Sequence, residues 1–515
     1  MQNQKVDLGS EAPKDGWSSR ILILAIAGIL FLTLYPFRLD VHASLPGGRC
    51  PFLLGRSGKS PGSFDGFLNV LLFVPFGFGL AEKLRERGKS RLFTLVVALA
   101  SGLLFSYCIE LLQIYIPQRD SGWDDVRTNG SGSVVGFVLY ETLGKFALRC
   151  VSTCEKTLES LLTPRRAVAV LLVYFGLWFV ASYLLQRKTR LTDWRADALL
   201  MVGNDTSGRY AWKGTINAVR IWDLALRDDV ARQISSGQPP DTGMPGLLMD
   251  FDFSAGPPYR DQMRVSSELA WIPRAPSASD ADALVLDGSS WLTTKAAVPD
   301  LVANLQKTNQ FTVSVVCTPA VGTGAWGKII SIAQPSGVAD FYLRQEDASL
   351  LFWFRDRLSE GHGNLPWTFA GVFAAARTRN ILYSYDGANL VLYVDGHREP
   401  LIYRLGPGSG LAKVVRKVKT GELEGYNYIY YILVFSIAGA ILGVAARNLA
   451  ASAFSAWFWM VSGFLAGAIL LEWILVSTSG RDLAFSYLGL SILCSVVGFL
   501  WVNSDRRTLA TLTRG

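Results

Sequence analysis

SFDGFLNVLLFVPFGFG (63–79) and SYCIELLQIYIPQRDSGWDDVRTNGSGSVVG (106–136) decide the fold of this chain. Both are apolar enough to enter a bilayer, yet both carry polar side chains at helical spacing. Asp65 and Asn69 stand four apart, on one helical face, with Phe73, Pro75 and Gly77 below them. Ser106, Glu110 and Gln113 follow the i, i+4, i+7 pattern, again a single stripe. Arg119, Asp124, Asp125 and Asn129 come next, in a loop and at the start of another apolar run. Ionisable groups inside a membrane span are expensive, so such a concentration marks a functional site by default.

Working outward, runs near the 20 residues that cross a bilayer fall in two groups. Ile21–Phe37, Phe67–Glu82, Leu92–Ile114, Ser131–Leu148 and Ala167–Leu185 form the first; Tyr428–Ala446, Phe454–Val476 and Leu483–Val502 form the second. Ser131–Leu148 is the weakest, because Glu141 and Lys145 interrupt it. Ile21–Phe37 follows a polar leader and precedes no small-residue cleavage site, so a retained span is expected rather than a signal peptide.

Of the 515 residues, 18 % are charged, 12 % aromatic, and the net charge is +8. Such aromatic content excludes full disorder. The charge follows topology instead of pointing to nucleic acid. Lys83, Arg85, Arg87, Lys89 and Arg91 crowd one loop, and Arg149, Lys156, Arg165 and Arg166 another. By the positive-inside rule both loops are cytoplasmic. Both termini then lie inside, and the long segment after the fifth span lies outside. Six scattered cysteines and three scattered histidines give neither a disulfide framework nor a zinc cluster.

The spacing of Asp65, Asn69, Phe73, Pro75 and Gly77, then of Glu110, Gln113, Arg119, Asp124, Asp125, Asn129, Gly132 and Gly136, resembles the VanZ-like membrane proteins. Tyr35-Pro36-Phe37 also fits. The resemblance covers about residues 20–185. It implies a membrane bundle in the cell envelope and a link to teicoplanin resistance, with no reaction attached. A fainter echo follows: Glu472 precedes Arg481 by nine residues, as Glu110 precedes Arg119, and Gly498 follows Arg481 as Gly136 follows Arg119. The expectation is a degenerate copy whose Glu472–Arg481 pair packs beside Glu110–Arg119.

Residues 190–405 change to short alternating runs broken by Gly, Asp, Asn and Pro, the pattern of an antiparallel sandwich. Strands are expected at 214–223, 246–253, 283–288, 311–319, 327–333, 348–354 and in the hairpin 380–399, with a helix at 226–234. These pieces resemble the concanavalin A-like, laminin-G jelly rolls. WKGTINAVRIWDLALRDDVARQ (212–233) is similar to that group's closing strand and helix but comes first, so the resemblance implies a circularly permuted sandwich. Trp326, Trp353 and Trp367 are candidates for sugar stacking, against a core role. Asp340, Glu346 and Asp347 fit no calcium loop, so calcium is unsupported and no cofactor is expected.

The expected fold class is therefore multi-domain: about eight transmembrane helices plus an extracytoplasmic all-β sandwich. Its parts are a cytoplasmic tail (1–20), a five-helix VanZ-like domain (21–186), the jelly roll (187–410), a basic juxtamembrane linker (411–427), three closing helices (428–503) and a second cytoplasmic tail (504–515). Partners are membrane lipids, with an envelope polysaccharide or lipid-linked glycan beside them. Three functions fit. The polar cluster binds a lipid head group or lipid-linked glycan; or it is a membrane enzyme with Glu110 or Asp124 as general base and Arg119 as clamp; or it only holds helices together in a structural or sensor protein.

Overall fold

A polar kink-prone sequence still becomes helix where lipid leaves the backbone no other hydrogen-bond partner. The computed structural model describes residues 17–34, 63–116, 122–241, 243–263, 268–274, 283–320, 324–356, 366–399, 403–415, 423–447 and 453–512. It divides into two units, residues 1–163 with 503–515, and residues 164–502.

The first unit holds α1 (Trp17–Leu34), α2 (Ser63–Glu86), α3 (Arg91–Gln113) and α4 (Trp123–Leu161). Ser90 caps α3, its side chain accepting the Phe93 N–H at 3.2 Å. Small residues bring α2 and α4 together. A Cβ at Gly77 would fall on the Ser133 carbonyl, and one at Gly136 on the Val74 carbonyl. Glu141, which weakened the expected span, is neutralised by Arg85 at 3.0 Å and Arg91 at 2.8 Å. The run expected as Ser131–Leu148 is part of one continuous 39-residue helix.

The second unit begins with α5 (Pro164–Arg187), which packs against helices near the C-terminal end. A sandwich follows. Its strands are β1 (Leu199–Val202), β2 (Lys213–Trp222), β3 (Leu247–Asp252), β4 (Leu269–Ile272), β5 (Leu284–Asp287) and β6 (Trp291–Thr294). After these come β7 (Phe311–Pro319), β8 (Trp326–Ala333), β9 (Ala339–Glu346), β10 (Ser349–Phe354) and β11 (Trp367–Phe369). The last are β12 (Arg379–Tyr385), β13 (Asn389–Val394), β14 (His397–Arg398) and β15 (Tyr403–Arg404). One sheet runs β11-β10-β9-β8-β1-β6-β4; the other runs β14-β13-β12-β7-β2-β3, with β15 on β13 and β5 on β2. All these strand pairs are antiparallel.

The core lies between the sheets. Phe311 of β7 meets Phe341 and Phe352 of the opposing sheet at 6.4 and 6.2 Å, and Phe352 stacks on Tyr383 at 4.3 Å. Each such fully buried aromatic contributes roughly 1.5–3 kcal/mol. Helices α6 (Asp228–Ser235) and α7 (Pro299–Thr308) pack on this body. Asn309, in the left-handed conformation at φ 58°, ends α7.

After the sandwich come α8 (Pro407–Val415), α9 (Leu423–Arg447), α10 (Ala453–Ser479) and α11 (Phe485–Leu512). Entry and exit of the sandwich lie side by side: the Gln186 amide donates to the Leu405 carbonyl at 3.5 Å, and the Tyr385 hydroxyl to the Thr189 carbonyl at 3.3 Å. Lys413, expected in a basic linker at the membrane surface, is turned inward in α8 and pairs with buried Asp356 at 3.1 Å. Arg416–Lys419 lie outside the described residues.

Among the described residues, five stretches are long and apolar enough to cross a membrane: Gly66–Glu86, Arg91–Gln113, Arg165–Arg187, Leu423–Ala446 and Phe485–Val502. Ser18–Leu34 and Gly463–Ser479 are shorter apolar helices. Leu104, Leu172, Leu177 and Phe485 stand exposed on these helices, where only lipid would cover them without cost. This is a membrane protein with a β-sandwich.

Candidate functional site

Asn69, Glu110, Gln113, Asp125 and Asn129, singled out from the sequence, gather at one end of the first unit. Four-residue spacing lines up Thr94, Ala98, Gly102, Ser106 and Glu110 as the buried edge of α3, with Gln113 completing it. The acidic pair Asp124 and Asp125 occupies the first turn of α4, where the helix dipole favours negative charge. Gly122, in extended conformation, caps that helix without a side chain. Its N–H is satisfied instead by Glu110, whose Oε2 accepts it at 2.9 Å.

Cross-helix bonds fix the rest. Asn69 of α2 donates to Asp125 Oδ1 at 2.7 Å. Gln113 of α3 donates to the Thr33 carbonyl of α1 at 2.9 Å. Asn129 of α4 donates to Ser106 Oγ at 2.8 Å. Asp124 faces outward and meets Arg127 at 3.7 Å, so it stands aside from the buried group. Asp65 lies in α2, its side chain outside the described residues, and Arg119 is outside them altogether.

Glu110 is 2 % exposed and Asn129 3 %. The Asn129 Oδ1 atom finds no partner among the described residues. A buried amide oxygen left unpaired costs about 1–3 kcal/mol, so it is a standing acceptor for a hydroxyl or ammonium donor. Sequence reasoning named Asn129 and missed its partner Ser106 as a bonding group, although the i, i+4 stripe already included it.

The second unit holds the echo pair. Arg481 Nη2 donates to Glu472 Oε2 at 2.8 Å, and Tyr431 donates to Glu472 Oε1 at 2.9 Å. Glu110–Arg119 is beyond comparison at its arginine, which is not among the described residues.

On the sandwich, the three tryptophans separate. Trp367 is 1 % exposed, stacked between Phe352 and Phe354 at 5.6 and 5.0 Å, and belongs to the core. Its neighbours leave no face for a sugar. Trp326 and Trp353 join a ladder across β8, β9 and β10. Trp326 meets Tyr210 at 4.9 Å and the Arg344 guanidinium at 5.1 Å; Trp353 stacks on Tyr342 at 5.5 Å; Lys328 sits 4.6 Å from the Tyr342 ring. Lys328 also pairs with Asp205, and burial pushes its ammonium below the ordinary lysine value.

The three acidic residues weighed for calcium are committed elsewhere. Asp340 accepts the Arg195 N–H at 3.1 Å and faces Arg355 at 3.6 Å; burial raises its carboxyl above the usual range. Glu346 pairs with Arg344, and Asp347 accepts the Gly324 N–H.

No curated protein and no solved structure matches the chain. Residues 22–144 match the VanZ/LLP1 family model, and this segment, from α1 into α4, is a VanZ-like domain.

Proposed function

We propose that the VanZ-like domain binds the donor-bearing head group of an envelope lipid or lipid-linked glycan at its polar end. The observation that carries this reading is the Asn129 Oδ1, buried beside Ser106 and without a partner among the described residues. A head group presenting an ammonium or hydroxyl satisfies that acceptor. Arg119 is proposed to reach the phosphate of the same lipid through its bidentate fork. The polar end lies at the outer leaflet, with the sandwich outside the cell and both termini inside. On the sandwich, the ladder of Trp326, Tyr342 and Trp353 offers an aromatic face of the kind that stacks on sugars, in keeping with the concanavalin-like resemblance.

The test is lipid retention by the full-length protein in nanodiscs that hold phosphatidylethanolamine and phosphatidylcholine, whose head group carries no N–H or O–H donor, in equal amounts. Retention of the amine lipid, lowered about tenfold in Asn129→Leu at unchanged melting temperature, supports the reading. Equal retention by both proteins removes it.

A second reading is favoured by the Glu110–Gly122 and Asn69–Asp125 bonds, which tie α3 and α2 to the start of α4. There the cluster is helix glue only, and Asn69→Leu and Glu110→Gln lower melting without altering lipid retention.

A further inference from the structure

The echo between Glu110 and Glu472 extends over three helices at a constant separation of 362 positions. Ser133-Val134-Val135-Gly136-Phe137 recurs unchanged as Ser495-Val496-Val497-Gly498-Phe499, and Arg119-Asp120 recurs as Arg481-Asp482. The packing repeats at the same separation. A Cβ at Gly77 would fall on the Ser133 carbonyl, and one at Gly439 on the Ser495 carbonyl. A Cβ at Gly136 would fall on the Val74 carbonyl, and one at Gly498 on the Ser436 carbonyl. Glu110 Oε2 accepts the Gly122 N–H; Glu472 Oε2 faces the Ala484 N–H at 3.4 Å. Thus α9, α10 and α11 pack as α2, α3 and α4 do, in the same chain direction.

The polar residues at the shared end have changed. Asp65, Asn69, Asp124, Asp125 and Asn129 correspond to Asn427, Tyr431, Ser486, Tyr487 and Ser491. Where Asn69 bonds Asp125, Tyr431 stacks on Tyr487 at 4.6 Å with the rings 3° from parallel. The three carboxylates have given way to an amide, a hydroxyl and an aromatic ring. This end opens on a cavity of ≈ 270 Å³, closed on the other side by Asp386, Asn389 and Arg404 of the sandwich.

We propose that this cavity is a second ligand site, for the neutral, polyhydroxylated head group of a membrane glycolipid. Its charges are already matched: Arg404 pairs with Glu424 at 2.9 Å, Arg481 with Glu472 at 2.8 Å. Asp386 and Asp482 add negative charge to the wall, so an anion gains no free cation there. Gln186 also lines the cavity. It is fully buried, its amide nitrogen is used by Thr189 and Leu405, and its Oε1 has no partner among the described residues. A sugar hydroxyl supplies the missing donor, and the Tyr431–Tyr487 pair supplies the aromatic wall. The volume suits a single sugar ring. The ends of α5, α9 and α11 line the same cavity, as befits a site for the head group of a lipid whose tails lie along these apolar helices.

This inference is independent of the site in the VanZ-like domain, because none of that domain's residues lines the cavity. The experiment uses the full chain in nanodiscs containing monoglucosyl diacylglycerol and phosphatidylglycerol in equal amounts, with bound lipid read by native mass spectrometry. Preferential retention of the glucolipid is expected. Gln186→Leu removes the acceptor and cuts that retention about tenfold. Ser486→Trp, at an exposed position on the cavity mouth, blocks entry without touching the buried network and gives the same loss even where Gln186→Leu fails to fold. Whatever glucolipid the VanZ-like domain retains, the share lost in Ser486→Trp is the same in the Asn129→Leu background as in the parent. Retention of phosphatidylglycerol instead, or full glucolipid retention by Ser486→Trp, overturns the proposal.

Discussion

Glu472 holds Arg481 at 2.8 Å with both side chains withdrawn from solvent, at 1 % and 6 % exposure. A pair this buried is costly to break from one side only. Arg481→Met strands the carboxylate and is expected to cost about 3–5 kcal/mol, whereas Glu472→Met with Arg481→Met together recovers most of that loss. Denaturation of the four proteins in one detergent reads the coupling. Additive losses would remove it.

The glycine contacts make a paired prediction. Gly77→Ala and Gly439→Ala each drive a methyl onto a facing carbonyl, so each is expected to destabilise its own bundle by about 1–3 kcal/mol. Gly28, with nothing within 4 Å of its Cβ position, is the control, and Gly28→Ala is neutral or slightly stabilising. Thermal melting of the three variants decides it.

The two kinds of tryptophan on the sandwich separate in the same way. Trp367→Ala removes a buried ring and costs about 3–5 kcal/mol. Trp326→Ala, at 41 % exposure, leaves melting unchanged and lowers capture of the protein on a glycan array. Unchanged capture with Trp326→Ala would clear that face of a sugar-binding role.

Asp228 carries a pH prediction. Hydrogen bonding from Arg232, then from Tyr393, with the Arg398 charge nearby, holds its carboxyl below the usual 3.8. The stabilisation is present above 3.8 and is lost as pH falls through the lowered value. Asp228→Asn therefore lowers melting of the sandwich at pH 7, and the difference from the parent closes as the solution is taken below 3.8. Because the group is nearly half exposed, the effect is a few tenths of a kcal/mol, roughly. A difference that grows on acidification contradicts this sign.

Much of this architecture was legible in the chain. The run 311–319 is β7 to the residue, because alternation and β-branched side chains leave a buried central strand little choice. Strand β9, ADFYLRQE, escaped notice: Arg344, Gln345 and Glu346 look like a loop, yet Gln345 is buried by bonding the Trp212 indole at 2.7 Å. Helix α7 was missed although Pro299 starts it and Asn309 stops it, since its apolar positions are few. The run expected at Ser131–Leu148 is only the middle of α4; Glu141 and Lys145 made it the weakest span, yet Arg85 and Arg91 neutralise that carboxylate. At the site, residue types and spacing named the polar stripe. The bond from Gly122 to Glu110 could not be foreseen, because a backbone donor leaves no trace in residue identity.

The most direct test of head-group binding by the VanZ-like domain is to map where a photoactivatable, amine-bearing phospholipid attaches to the full-length protein in nanodiscs. The account predicts adducts on the peptides containing Ser106–Gln113 and Trp123–Asn129, lost in Asn129→Leu. Adducts confined to lipid-facing positions such as Leu104 and Phe146, unchanged by that substitution, would contradict it.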